Sequence, residues 1–300
     1  MKDFQGLIVV GGPTASGKTM MAANLAEALG TEVVSFDARQ VYKELNIAVA
    51  RPAIEELKGI PHHFIATESI FKSLSAKDYA QKARKIIEKI LTEKRVVILV
   101  GGSGFYLDAL LFPLDDIPEP SEEARKKARN LPLLELQKIL KDKDPIYFDR
   151  VDIRNPVRLQ RAVEVILTTG RTFSEFLNRG KEATSIFPWI LVQPVISSEK
   201  HKQYIRNRTD GMLQRGLLNE CQELFEYRQM QPLKSVGYKE IFAWMEKRIS
   251  LAKAVELINS HTWQYARRQK TWFNNKYESI KVDPSNWREI LQNISNSKLP

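Results

Sequence analysis

Cysteine is nearly absent from this 300-residue sequence, in which Cys221 is the only one, so no disulfide can form within the chain. Long apolar runs are absent too. Stretches such as Val96–Val100 fall far short of the roughly 20 residues that a membrane-spanning helix needs. The first residues, with Lys2 and Asp3 ahead of a strand-like run, do not fit a cleavable signal peptide. From these absences we expect a cytoplasmic protein with no membrane association and no disulfides.

Negative charge is also in short supply, because 46 Lys and Arg face 36 Asp and Glu, for a net charge of +10. From Lys200 to Val282 there are 16 basic and 8 acidic residues, so +8 of the +10 lies in that segment. The segment also contains aromatic residues such as Trp263, Tyr265 and Trp272. Charge alone leaves two interpretations open, a solvated basic surface or a surface that binds a polyanion. Aromatic side chains among basic ones suit the stacking of nucleic-acid bases.

Short apolar runs alternate with helical patterns over the first hundred residues. Strands are predicted at Leu7–Val10, Val33–Phe36 and Val96–Val100, with helices at Gly17–Leu29 and Ala76–Glu93 between them. This alternation predicts an α/β fold, a parallel sheet with right-handed crossovers and flanking helices.

The pattern changes at Pro113, where prolines and acidic residues cluster before a long helical stretch. Ile186–Ile196 is again strand-like, and after Ser198 the chain reads as helical and basic almost to its end. We therefore predict the first part of the core at 1–114, an inserted helical lobe at 115–182, and the second part of the core with a basic helical C-terminal region at 183–300.

A phosphate-binding motif follows the first predicted strand and precedes the first predicted helix. The segment GPTASGKT fits GxxxxGK[ST] in the context that supports a P-loop. Its glycines let backbone N–H groups surround phosphate oxygens, and the helix N-terminus adds partial positive charge. We predict that a diphosphate or triphosphate binds to these residues: Gly12, Pro13, Thr14, Ala15, Ser16, Gly17, Lys18 and Thr19. The Thr19 hydroxyl is placed to ligate Mg²⁺.

The position of an acidic residue separates two uses of such a loop. P-loop kinases and NTPases hold their metal with an aspartate after an apolar strand, whereas Val96–Val100 is followed by Gly101–Gly104. Asp37 instead follows the strand Val33–Phe36, at the edge where parallel sheets bind ligands. From its position alone, Asp37 is either a turn former or a catalytic carboxylate.

Nine segments together resemble the tRNA dimethylallyltransferase family, also called tRNA isopentenyltransferases, in order and spacing. They are GPTASGKT at 12–19, DARQVY at 37–42, RP at 51–52, GIPHHF at 59–64, GGSGFYL at 101–107, RLQRAVEV at 158–165, TGR at 169–171, VGYKE at 236–240 and YARRQKTWF at 265–273. The resemblance spans roughly residues 6–276. It is far more specific than any single motif.

The resemblance implies a reaction, its substrates and a set of residue roles. A dimethylallyl group would pass from dimethylallyl pyrophosphate to the exocyclic amine of the adenosine 3′-adjacent to the anticodon, with Mg²⁺ as cofactor and a monomeric enzyme. Asp37 would be the general base, Ser103 would position the reacting groups in place of the family threonine, and Arg208 would contact pyrophosphate. Binding of the anticodon stem-loop is expected from these residues: Arg39, Gln40, Arg161, Arg267, Arg268 and Gln269.

The sequence departs from the family pattern at three points, and it leaves three alternative functions open. Ala48–Ala50 replaces the glycine and threonine that precede the family's lysine–proline pair, Trp263 replaces an arginine, and the lobe is short. These changes predict altered tRNA choice or rate, as in a divergent paralogue. The alternatives are an isopentenyltransferase acting on free adenine nucleotides, a small-molecule kinase and a non-catalytic nucleic-acid-binding protein.

Overall fold

The computed structural model describes residues 4–72, 74–177 and 184–296, with side chains described through 292, and these residues contain one six-stranded sheet. Its strands are β1 (Gly6–Gly11), β2 (Val33–Ser35), β3 (His62–His63), β4 (Val96–Gly101), β5 (Trp189–Pro194) and β6 (Ile280–Val282). Their order is β3-β2-β4-β1-β5-β6, and every neighbouring pair is parallel. The predicted parallel α/β sheet is confirmed.

Twelve α-helices lie in the described residues. They are α1 (Lys18–Leu29), α2 (Ala76–Glu93), α3 (Gly104–Leu111), α4 (Glu122–Arg129), α5 (Leu133–Lys143), α6 (Pro145–Phe148), α7 (Pro156–Thr169), α8 (Ser198–Gln214), α9 (Leu217–Glu223), α10 (Tyr238–Met245), α11 (Leu251–Lys276) and α12 (Arg288–Asn296). No helix among the described residues is both long and apolar enough to cross a membrane.

The central strands are apolar along their whole length because helices cover both faces of a parallel sheet. Every residue of β1 and β4 is buried, and the two strands pair in register from Gly6 opposite Val96 to Gly11 opposite Gly101. Both strands therefore deliver their following loops to the same edge of the sheet, next to each other.

Helix α2 has a capped N-terminus and one buried face that packs against the sheet. Ser75 caps its N-terminus by accepting a hydrogen bond from the Asp78 backbone N–H, at 3.1 Å. Tyr79, Ala83 and Ile87 recur at helical spacing on its buried face. The buried Tyr79 hydroxyl donates to the backbone carbonyl of Ser35 at 3.0 Å, which fixes the helix against the end of β2.

The chain divides into two compact units, residues 1–110 with 187–300, and residues 111–186. The second unit packs α4, α5 and α7 around an apolar core that includes Leu136, Leu140 and Val163. The lobe predicted at 115–182 falls within this unit, although its residues 178–182 lie outside the described part of the chain. Asp144 separates α5 from α6: this buried carboxylate caps α6 through the Tyr147 N–H and also accepts two hydrogen bonds from Ser174.

The prediction of an almost entirely helical C-terminal region was wrong at one point. Ile280–Val282 forms β6, which pairs with β5 and closes that side of the sheet. A three-residue strand with one lysine in its centre is too short to show a period-2 pattern, and only its pairing with β5 reveals it.

Candidate active site

The P-loop connects the buried end of β1 to α1 with several of its backbone donors unused. Gly17 caps α1 with a φ of 84°, a left-handed conformation that favours glycine. The backbone N–H groups of residues 15–19 have no acceptor within the described chain. Helix-terminal N–H groups of this kind are a ready binding site for phosphate oxygens.

Two cationic side chains reach this loop from different helices. Lys18 begins α1, and Arg208 from α8 donates through Nη1 to the Thr14 hydroxyl at 2.8 Å. Burial lowers the pKa of Lys18 to about 7, and the charge of Arg208 lowers it further while Asp37 opposes the shift. Burial likewise lowers the pKa of Arg208 to about 10, again against the opposing charge of Asp37. Two cations that burial destabilises, held beside unpaired N–H groups, would be stabilised by a bound polyanion.

Asp37 lies just beyond β2, within electrostatic reach of both cations. Its Oδ1 accepts hydrogen bonds from the backbone N–H groups of Arg39 at 2.8 Å and Gln40 at 3.2 Å. Asp37 therefore stabilises the turn after β2, which is one of the two roles that its position in the sequence predicted. No donor among the described residues contacts Oδ2, so the carboxylate has a fixed orientation and one oxygen available to a substrate.

Ser103 follows β4 and joins the neighbouring loop to the Asp37 turn. Its hydroxyl accepts from the Ala38 backbone N–H at 3.0 Å. Tyr265 of α11 lies beside Ser103, and burial together with the Asp37 charge raises the pKa of Tyr265 to about 12. The sequence places Tyr265 among the aromatic residues of the basic segment and at the start of the 265–273 segment, without a role at this site. Its spacing of four residues from Gln269 on one helix was the signal that it shares this site.

Gln269 is the residue whose surroundings differ most from expectation. The sequence predicts a tRNA contact, but the side chain is buried, and both ends of its amide bind backbone. Oε1 accepts from the Thr14 N–H at 2.8 Å, and Nε2 donates to the Gly102 carbonyl at 2.8 Å. A Cβ at Gly102 would lie 2.1 Å from Nε2, so only glycine permits this approach. Gln269 thus joins the P-loop to the loop after β4.

The other residues predicted to bind tRNA have different surroundings. The side-chain amide of Gln40 donates hydrogen bonds to the backbone carbonyls of Val49 and Ala50, at 3.2 and 2.9 Å. Arg39 is half-buried and lies near Tyr265, and Arg161 belongs to the second unit, where it approaches the Pro118 carbonyl at 3.4 Å. Arg267 and Arg268 are exposed on α11, with the Arg268 guanidinium 5.9 Å from the centre of the Tyr265 ring.

Arg51, which stands where the resembling family has lysine, is held by backbone. Its Nη2 donates to the carbonyls of Lys43 at 3.0 Å and Leu45 at 2.6 Å. The guanidinium therefore holds the segment between β2 and β3 in place, and it has no contact with the P-loop residues described above.

The donor groups near the loop suit a magnesium ion that is shared with a phosphate ligand. Among the described residues, no group of three or more His, Cys, Asp or Glu side chains could hold a metal ion by itself. Mg²⁺ usually binds one or two protein oxygens together with phosphate oxygens and waters. The Thr19 hydroxyl, at the start of α1, makes no hydrogen bond within the described chain and fits that pattern.

Comparisons with known proteins agree along most of the chain. The sequence model described as IPP transferase matches residues 40–276. Among curated proteins, tRNA dimethylallyltransferase 1 of Bacteroides thetaiotaomicron is 36% identical over 292 residues, covering 95% of this chain and 94% of the relative. The tRNA dimethylallyltransferase of Flavobacterium johnsoniae is 35% identical over 306 residues, covering 97% and 99%.

Solved structures give the same result. The full-length tRNA isopentenylpyrophosphate transferase of Bacillus halodurans superposes with a TM-score of 0.72 at 29% identity, covering 97% of this chain and 96% of that one. A eukaryotic dimethylallyltransferase acting on tRNA superposes with a TM-score of 0.84 at 25% identity, covering 98% of this chain and 80% of that one.

Proposed function

The chain belongs to the IPP transferase family of tRNA dimethylallyltransferases, and we propose that it modifies the adenosine 3′-adjacent to the anticodon of tRNA, with dimethylallyl pyrophosphate as donor. The transfer of a dimethylallyl group to tRNA follows from relatives of that activity that match nearly its whole length. The observation that carries the proposal is the convergence of Lys18, Arg208 and Asp37 at the P-loop.

Asp37 is suited to remove the proton of the attacking amine. The lone pair of an adenine amine is delocalised into the ring, so a carboxylate that accepts its proton helps the attack on the allylic carbon. A nitrogen–carbon bond forms, the carbon–oxygen bond to pyrophosphate breaks, and the amine proton passes to Asp37 Oδ2. Ser103 supports this geometry because its hydroxyl accepts from the Ala38 N–H, next to Asp37 in the turn.

The P-loop is suited to the charge that grows on the leaving group. Lys18, Arg208 and the free N–H groups of residues 15–19 would stabilise the departing pyrophosphate. Bound with the Thr19 hydroxyl as one ligand, Mg²⁺ would neutralise part of that charge. Gln269 fixes the distance between this loop and Gly102, which makes it a positioning residue in this proposal.

The tRNA must present its adenosine outside the base stack, because the amine cannot reach Asp37 from within a helix. Tyr265 and Arg268 lie beside Asp37, the proposed general base, and suit the binding of an unstacked nucleotide. The basic segment at 200–282 and Arg161 of the second unit would bind the anticodon stem-loop. We propose a monomeric enzyme that acts in the cytoplasm.

An assay with labelled substrates separates this function from a kinase. Labelled dimethylallyl pyrophosphate should transfer its isoprenoid carbons to tRNA, and labelled ATP should transfer nothing. The loop after β4 consists of Gly102 and Ser103 and has no acidic residue to hold a kinase metal. Phosphoryl transfer from ATP would contradict the proposal, and labelling of free AMP in preference to tRNA would favour the nucleotide-modifying alternative.

The affinity for tRNA should fall steeply with salt, since each phosphate neutralised by a cation releases counterions. Replacing Arg267 and Arg268 together by alanine should reduce the slope of log affinity against log salt by about one to two if both meet phosphates. The measurement is binding of an anticodon stem-loop RNA across a salt series.

The matched control is alanine at Lys85 and Lys89, two exposed lysines of α2 that lose the same charge. Equal slopes for wild type, the arginine variant and the lysine control would show that Arg267 and Arg268 do not meet phosphates. A loss of affinity with the slope intact would assign them to bases.

A further inference from the structure

Helix α11 has two different flanks beside its buried face. The buried face includes Ala266, Gln269 and Phe273. Tyr265 and Arg268 lie on the flank that borders Asp37 and Ser103. At 3.6 residues per turn, Trp263, Arg267 and Lys270 fall on the opposite flank. These three residues line a cavity that touches the P-loop at Pro13 and includes none of the proposed catalytic groups.

The cavity has a volume of about 260 Å³ and lies over the carboxyl end of β5. Its apolar wall includes Pro13, Pro194 and Ile196, and the Trp263 indole forms part of the side. The proposed catalytic groups follow β2 and β4, whereas this cavity follows β5, on the other side of β1 in the sheet. It is therefore separate from the Asp37 and Ser103 region.

Among the described residues, three cations line this cavity and no acidic side chain does. They are Arg267, Lys270 and Lys281, and neither Arg267 nor Lys270 pairs with a carboxylate within the described chain. Lys281 donates to the Asn274 side chain at 2.6 Å. Burial lowers the pKa of Lys281, and the charge of Lys270 lowers it further. Like charges held together without an acid are destabilising, and a bound anion would relieve their repulsion.

His201 joins the wall of the cavity to the phosphate loop. Its Nε2 donates to the Thr14 carbonyl at 2.8 Å, and its ring meets the edge of Trp263 with 5.5 Å between centroids. Burial, together with the charges of Lys18 and Lys270, lowers the pKa of His201 and so favours the neutral ring. With a neutral His201 ring, the positive charge that could bind an anion in the cavity comes from Arg267, Lys270 and Lys281.

We propose that this cavity is a second nucleotide site, which takes one nucleoside monophosphate unit with its phosphate at Lys270 and Lys281 and its base along Trp263. An apolar wall with an indole suits a base, and a cation cluster without acids suits a phosphate. The volume accommodates one such unit and excludes a duplex. Two sources share this chemistry, a nucleotide of the bound RNA that does not react, and a free nucleotide. The site goes beyond the proposed function and does not require the transfer reaction.

The test measures AMP binding by calorimetry with Mg²⁺ and saturating pyrophosphate present, so that the P-loop is filled. Lys270→Ala and Trp263→Ala should each weaken AMP binding about tenfold, as expected for loss of a charge-assisted contact or a base-stacking surface. Lys18→Ala should retain AMP binding, and Lys89→Ala, which removes one exposed charge from α2, should match wild type. Lys270 is exposed, so its replacement preserves the fold even if Trp263→Ala does not.

A second arm measures the affinity of an anticodon stem-loop RNA for the same variants. Weaker RNA binding in Lys270→Ala identifies the nucleotide as part of the RNA. Unchanged RNA affinity with weaker AMP binding identifies a free nucleotide. The proposal is overturned if neither ligand distinguishes Lys270→Ala from Lys89→Ala, or if Lys18→Ala alone abolishes AMP binding. Loss of transfer activity leaves these results unaffected, so failure of the proposed function is recognised separately.

Discussion

Replacing Asp37 by asparagine should lower the rate of dimethylallyl transfer by about 10²–10⁴-fold, the usual contribution of a general base. Asparagine keeps a side-chain oxygen for the N–H groups of Arg39 and Gln40, so the turn after β2 is retained. What is lost is the oxygen that can accept a proton from the amine. Single-turnover transfer to tRNA, with tRNA affinity measured alongside, separates the chemical step from binding.

The comparison between Asp37→Asn and Asp37→Ala gives this prediction its control. If the carboxylate acts as a base, both variants should be slow and both should bind tRNA as the wild type does. If Asp37 only forms the turn, Asp37→Asn should be nearly as fast as wild type while Asp37→Ala is impaired. A rate for Asp37→Asn within a few-fold of wild type contradicts the catalytic assignment.

Replacing Lys18 by alanine should slow transfer by about 10²–10³-fold, the range seen when one preorganised donor to a developing negative charge is removed. The N–H groups of residues 15–19 and Arg208 remain, so part of the pyrophosphate binding should survive. Measured affinities for pyrophosphate and single-turnover rates give the two effects separately.

The lowered pKa of Lys18 adds a pH dependence to this prediction. Burial brings the pKa to about 7 in the free protein, and bound pyrophosphate would raise it because the anion stabilises the charged form. Above pH 7 the free lysine is largely neutral and the bound one is protonated, so binding takes up a proton and weakens as pH rises. Calorimetry in two buffers with different heats of ionisation should detect this uptake in wild type, and Lys18→Ala should abolish it. Equal uptake in both proteins would place the titrating group elsewhere.

The parts of the site that could be predicted from the sequence are those whose chemistry is local. The strand, loop and helix around Gly12–Thr19 are one continuous segment whose residue types dictate both the turn and its donors. Asp37 was expected at the edge of the sheet because its strand is apolar and parallel strands end on the same side. In both cases the local conformation depends on contacts between residues that are close in sequence.

The contacts that complete the site join distant parts of the chain and have no local pattern. Gln269 bonds Thr14 across 255 positions, and His201 bonds the Thr14 carbonyl across 187. A glutamine beside two arginines in a basic helix is typical of a nucleic-acid contact, and only the packing of α11 shows that its side chain is buried. The two arginines are exposed on either side of the same buried face, and their adjacent positions in the sequence gave no sign of this separation.

The most direct test of the account is mass spectrometry of nucleosides from tRNA incubated with the protein, Mg²⁺ and dimethylallyl pyrophosphate. We predict that dimethylallyl-adenosine accumulates in the full-length tRNA, that fragment mapping places it 3′-adjacent to the anticodon, and that Asp37→Asn reduces it sharply. Unmodified adenosine at that position after prolonged incubation with wild-type protein, with modification of free AMP instead, would contradict the assignment of tRNA as the substrate.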